Sequence, residues 1–224
     1  MLFIGAAGPS LLASMSVVAI ARKLLAGGSS GKTTEAMLAQ FLAYGLWFLA
    51  LYDILHFRHG QPFWESLRWS WSTWDVFTSF VRGPFIAVFV TAAAALLGQP
   101  EGDMPFHDLL SDRRNVLLVG LFATTLGPLC EELAFRGFLM PLVARTFGPV
   151  TGMVIAAAAF ALLHGPQYAW SWRHLMLIGL AGLAFGWVRF KTGSTAAATA
   201  MHASYNLTIY AGFLLLEGEM LKPW

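Results

Sequence analysis

The residues best suited to chemistry lie in three short constellations. The first is Gly127-Pro128-Leu129-Cys130-Glu131-Glu132-Leu133-Ala134-Phe135-Arg136-Gly137, where two adjacent glutamates follow sixteen uncharged residues, 115–130. At about 100° per helical residue, Arg136 falls roughly 40° from Glu132 and about 140° from Glu131. Glu132 and Arg136 thus form an i,i+4 pair with the acid on the favourable N-terminal side. Glu131 stands outside that pair. A carboxylate excluded from an ion pair in a low-dielectric setting holds a proton more readily, which suits a general base. A plainer reading has the helix reach the membrane surface at 131–136, where its charges would be hydrated.

The second constellation is Phe160-Ala161-Leu162-Leu163-His164, a histidine closing an apolar run. Taken alone, His164 reads as a helix-end residue at headgroup level. The third is Met201-His202-Ala203-Ser204-Tyr205-Asn206. His202 and Asn206 are four residues apart and share a helical face. Alone they would serve as an interhelical hydrogen bond. Together, glutamates, a histidine and a histidine–asparagine pair on three separate helices are more than packing requires, and each can project into one cavity.

These side chains must be carried by membrane helices. Of 224 residues, 57% are hydrophobic and 12% charged, with mean hydropathy +0.63. Soluble domains carry roughly 25% charged residues. Apolar runs of about 20 residues fit helices crossing a bilayer. They are expected at 2–21, 36–55, 76–97 (interrupted by Arg82-Gly83-Pro84), from 113 onward through Cys130, 149–164, 174–190 and 194–216. An eighth helix arises if 131–146 breaks away at Pro128 or Pro141. Residues 57–74, with Trp64, Trp69, Trp71 and Trp74, read as an interfacial segment. The stretch 98–112 reads as a polar loop or short surface helix. The expected fold class is all-α: a polytopic bundle of seven to eight transmembrane helices in one domain, 1–224.

Other classes are disfavoured. The runs are too long for tilted membrane strands and do not alternate. The net charge of +2 comes without a basic stripe or phosphate loop, so no nucleic acid is expected as a partner. The lone Cys130 excludes an intrachain disulfide and a cysteine-cluster metal site. The start Met-Leu-Phe-Ile lacks a cationic n-region, so the first run reads as a retained helix. A slight excess of Lys and Arg puts Arg22, Lys23, Lys32, Arg113 and Arg114 on the cytoplasmic side.

The patterns Glu131-Glu132-x-x-x-Arg136, Phe160-x-x-x-His164 and His202-x-x-x-Asn206 resemble, in order and spacing, the three motifs of the CPBP family. That family includes CAAX prenyl endopeptidases and Abi-type bacteriocin self-immunity proteins. Pro128, Phe135 and Gly137 fit the local context, and Gly8-Pro9-Ser10-Leu11 looks like the family's first-helix pattern. The resemblance is strong over about 127–210 and rests on hydropathy before that. It implies an intramembrane endopeptidase of a prokaryotic inner membrane, acting on a membrane-associated peptide or protein, prenylated or not. Carried over, Glu131 activates water, His164 assists, and His202 and Asn206 stabilise the oxyanion, a device worth roughly 3 kcal/mol per donor by analogy with a soluble protease. Glu132, Arg136 and Phe160 support them.

A cofactor is either absent or zinc. Glu131 (or Glu132), His164 and His202 would give three ligands and an open position, but no His-Glu-x-x-His motif is present and a glutamate-activated water is favoured. Two rival classes stay open: a non-catalytic immunity or binding protein on the same fold, and a transporter, which would call for paired half-sequences that are not seen.

Overall fold

The computed structural model describes residues 32–98 and 113–217, and among these every regular element is helical. The expected helix at 2–21, the pattern Gly8–Leu11, the cations Arg22 and Lys23 and most of the 98–112 segment lie outside the described residues. The chain divides into two compact units, Met1–Ser66 and Leu67–Trp224.

In the first unit, α1 (Lys32–Tyr52) runs directly into a wide π turn, Asp53–Arg58, followed by the single turn α2 (Phe63–Ser66). Phe63 is buried against Phe48 and Tyr52, at ring centroids 4.9 and 5.4 Å. Asp53 holds Arg58 at 2.6 Å on the surface.

The second unit holds α3 (Thr73–Leu97), α4 (Arg113–Thr124), α5 (Leu126–Glu132), a π segment (Leu133–Leu139), α6 (Met140–Phe147), α7 (Pro149–Leu163), a 3₁₀ turn (Gly165–Tyr168), α8 (Trp172–Thr192) and α9 (Thr195–Glu217). Three stretches are long and apolar enough to cross a membrane: Thr73–Leu97, Asn115–Phe147 and Trp172–Thr192. Helix α7 is apolar but shorter. In the tryptophan segment Trp64, Trp71 and Trp74 are exposed and Trp69 is half-buried.

Helix α9 is the element on which the others gather, packing on α3 most extensively and also on α4, α5 and α8. Gly83 sets the α3 crossing. A Cβ there would run into Ser204 Oγ and sit 2.7 Å from both the Met201 carbonyl and the Tyr205 amide. Contrary to the expected interruption at Arg82-Gly83-Pro84, α3 is continuous. Pro84 removes one backbone bond, but Ser79, Gly83, Ala87 and Val90 are buried along one face and hold the helix in place. Proline is tolerated in membrane helices under such packing.

The α4-to-α6 stretch corrects a second expectation. The break falls at Thr125 (φ −128°, ψ −86°), and neither Pro128 nor Pro141 parts the helix at its own position. Pro128 cannot donate to the carbonyl four residues back and crowds it, so the disruption appears a turn earlier. Thr124 and Thr125 bend the same turn by returning their hydroxyls to the carbonyls of Gly120 (2.8 Å) and Leu121 (2.6 Å). Pro141 lies in the first turn of α6, where a missing N–H is harmless.

The start of α9 is pinned by the loop before α3. Thr195 donates its hydroxyl to the Leu67 carbonyl at 2.6 Å and its amide to the Arg68 carbonyl at 2.9 Å, while Ser194 donates to Ser70. Leu67 is fully buried against Gly137, where a Cβ would lie 3.2 Å from its own. The loop thus fixes α9 against the π segment, two turns before His202.

Replacing Gly83 by leucine puts a side chain into α9 backbone. The expected cost is about 3 kcal/mol, the upper end for overpacking, with Gly83→Ala milder. Thermal melts of the purified variants in detergent check it; a Gly83→Leu protein melting like the parent would mean the helices do not cross there.

Candidate active site

Glu131, Glu132, Arg136 and His202 are 8, 0, 0 and 3% exposed. The hydrated reading of 131–136 therefore does not hold: these charges are inside the protein. Glu131 and Glu132 end α5, and Arg136 lies in the π segment that follows. A π turn is a rare widening of the helix, frequent at functional sites. Here it keeps the expected i,i+4 pair, with Arg136 Nη1 donating to Glu132 Oε1 at 2.8 Å.

The same oxygen takes a second donor. His202 Nδ1 lies 2.9 Å from Glu132 Oε1, joining α9 to α5 across 70 residues of sequence. A carboxylate accepts, so Nδ1 carries the hydrogen and Nε2 is turned away from Glu132. That second nitrogen faces Glu131, with Oε2 at 3.7 Å. Each ring nitrogen of His202 thus addresses a different glutamate.

Arg136 is held on three more sides. Nη2 donates to the Gly182 carbonyl of α8 at 2.7 Å. Its guanidinium carbon is 4.7 Å from the Phe160 ring centre and 5.4 Å from that of Phe185, within range of favourable cation–π contact. Gly182 makes room for this: a Cβ would stand 3.1 Å from Arg136 Nη2 and 3.3 Å from Phe160. Phe185 also stacks on His202, at 4.4 Å and 18°, while Phe160 meets His202 nearly edge-on at 5.5 Å.

His164 caps the C-terminus of α7 and is half-buried. Its Nδ1 lies 2.8 Å from the Phe160 carbonyl. A carbonyl only accepts, so Nδ1 donates and Nε2 keeps a lone pair. The His164 ring packs on Phe160 at 4.7 Å. His164 and His202 thus flank one phenylalanine. Asn206, one turn beyond His202, donates to the Ala123 carbonyl at 2.7 Å, beside the Thr125 break. Tyr210, a turn further on, donates to Val116 at 3.2 Å.

Sequence reasoning placed Glu131, Glu132, Arg136, Phe160, His164, His202 and Asn206. The structure brings Glu131, Glu132, Arg136 and His202 into one cluster, sets His164 across the Phe160 ring, and engages Asn206 with α4. It adds Phe185 and Gly182. Their only sequence signal was a run of small residues around an aromatic, Ala181-Gly182-x-x-Phe185-Gly186, which marks close packing in membrane helices. Among the described residues no group of three or more His, Cys, Asp or Glu side chains is placed to hold a metal ion. The set Glu131, His164 and His202 does not fit a zinc as it stands, so no step below runs through one.

These side chains all lie in the stretch from α4 to α9. Residues 113–208 match the family described as type II CAAX prenyl endopeptidase Rce1-like. The Rce1-like segment holds all three constellations, so the resemblance read from them is the one this match finds. No curated protein and no solved structure matches the chain.

The buried pair in the Rce1-like segment yields a stability prediction. Arg136→Met leaves the Glu132 carboxylate without its cation and should cost about 3–5 kcal/mol. The charge-free combination Glu132→Gln with Arg136→Met should recover most of that, because replacing both partners avoids an uncompensated buried charge. Melting temperatures of the three proteins in one detergent decide it; a double variant no more stable than Arg136→Met would show that charge balance is not what the pair supplies.

Proposed function

We propose that the chain is an intramembrane endopeptidase that hydrolyses a peptide bond of a membrane-associated substrate by glutamate-activated water. The Rce1-like family is a protease family, and its type II CAAX activity is the activity proposed for this chain. The observation that carries the reading is the buried convergence of Glu131 and Glu132 on His202, from helices 70 residues apart. Intramembrane charges are costly and mark functional sites when they face inward.

In the proposed reaction a water is held between the Glu131 carboxylate and the lone pair of His164 Nε2. Glu131 takes a proton as the water oxygen bonds to the scissile carbonyl carbon. The carbonyl oxygen becomes an oxyanion, which His202 Nε2 and the second amide hydrogen of Asn206 stabilise. The C–N bond then breaks, and the proton passes from Glu131 to the departing amine. While Nδ1 donates to Glu132, Nε2 presents its own hydrogen to the oxyanion, so the proposed step uses both ring nitrogens of His202 as donors. Phe160 and Phe185 keep the surroundings poor in water, where each preorganised donor counts for more.

The wider setting is also part of the proposal. It comprises a single protease domain over 1–224 with its motif core at 127–210, and seven to eight transmembrane helices. It includes a multi-pass place in a prokaryotic inner membrane, and a peptide substrate that carries a prenyl group or does not. The three long apolar helices and the family match support the membrane setting.

Purified protein in detergent or liposomes, given a fluorogenic CAAX-type peptide with and without a prenyl group, tests the activity. Glu131→Gln keeps the shape and loses the base. Turnover should fall by roughly 10²–10⁴-fold with the melt unchanged; a fully active Glu131→Gln would remove the glutamate base. Asn206→Ala should slow single turnovers by roughly a hundredfold and also lower the melt, since the Ala123 carbonyl loses its donor. Normal turnover per folded molecule, with only the melt reduced, would make Asn206 a helix tie alone.

A further inference from the structure

Glu132 has so far been the ion-pair partner of Arg136, and the geometry points to a second task. We infer that Glu132 is the positioning residue for His202: by accepting from Nδ1 it fixes the ring's orientation, so that Nε2 faces Glu131 and the reacting carbonyl. The inference rests on the proposed protease reading for its consequence in turnover, but not for its structural content.

Three observations carry it. Glu132 Oε1 receives both Arg136 Nη1 at 2.8 Å and His202 Nδ1 at 2.9 Å. Arg136 in turn is fixed by the Gly182 carbonyl at 2.7 Å and by the faces of Phe160 and Phe185. The oxygen that orients His202 therefore cannot swing: its carboxylate is fully buried and anchored through the guanidinium to α8. The hydrogen bond at one ring nitrogen sets the role of the other. Phe185, stacked flat on the imidazole at 4.4 Å, fixes the plane of the ring but not which edge faces Glu131. A half-turn flip within that plane stack would exchange the nitrogens for carbons. The bond to Glu132 at 2.9 Å is the short contact that distinguishes the two edges, Nε2 being 3.7 Å from Glu131. Glu132 thus acts on the reaction through His202, as the buried acid of a carboxylate–histidine pair acts in other hydrolases.

The test separates this task from charge balance by removing Arg136 throughout. Two double variants are compared: Glu132→Gln with Arg136→Met, which keeps an acceptor oxygen for His202, and Glu132→Met with Arg136→Met, which has none. Neither holds the buried ion pair, so their melts should agree within a few degrees. The expected result is a kcat roughly a hundredfold lower in the methionine pair than in the glutamine pair, with KM alike within about threefold. Equal kcat values would overturn the inference. A second readout needs no substrate. Imidazole nitrogen spectra of ¹⁵N-histidine-labelled protein, with the His202 signals identified by their loss in His202→Gln, should show a protonated Nδ1 in the parent and the glutamine pair. That signature should be lost or exchange-broadened in the methionine pair. The same signature in both pairs would overturn it. If the parent cleaves no peptide, the protease reading fails while the spectra still decide the role of Glu132.

Discussion

A carboxylate taken wholly out of solvent must find donors or be expelled, and in the second unit one oxygen of Glu132 finds two. Its Oε1 accepts from a guanidinium on the π segment and from an imidazole on α9. The guanidinium reaches on to α8 through the Gly182 carbonyl. One oxygen atom thus relates three elements to one another. The desolvation of such ions costs several kcal/mol each, and the bonds that offset it are directional. The cluster therefore specifies geometry more than it adds stability.

The backbone bends where this cluster requires it. Helical order is relaxed on both sides of the glutamates, at Thr125 before them and in the π segment after them. Glu131 and Glu132, adjacent at the end of α5, both face His202, and Arg136 meets Glu132 from the widened turn that follows. The Thr125 break leaves carbonyls near the end of α4 in need of donors, and Asn206 donates to the one on Ala123. The distortion and its compensation come from opposite helices, so α4 and α9 are held together at the level of the site.

The aromatic residues set the medium. Phe160 touches His164, Arg136 and His202, and Phe185 covers Arg136 and His202 from the other direction. These rings exclude water and offer their negative faces to the cation. Electrostatic interactions among the buried groups are stronger in such surroundings than at a surface. Gly182 and Gly83 are the openings that allow it: one lets α8 approach Arg136, the other lets α3 approach α9 next to Ser204.

Much of this was legible in the sequence, and the divide has a physical cause. The helices at 149–163, 172–192 and 195–217 follow from long, largely apolar runs. The Glu132–Arg136 pair follows from a spacing of four, since both ends lie on one helix. The membrane setting follows from composition. Yet Pro84 does not interrupt α3, and neither Pro128 nor Pro141 parts the helix at its own position: a proline states a local cost, and packing against α9 or a yielding neighbour such as Thr125 decides whether and where it is met. The bond between Glu132 and His202 was not legible, because it depends on how α9 is rotated against α5. That rotation is set by Gly83 against Ser204 and by the loop at Leu67 that pins Thr195, contacts between residues far apart in the chain. Phe185 looked like any other apolar residue of α8, and became part of the site only when Gly182 let that helix close on Arg136. Spacing along one helix is a local property that sequence carries; the mutual rotation of two helices is set by where small residues permit their closest approach, and only the folded chain decides it.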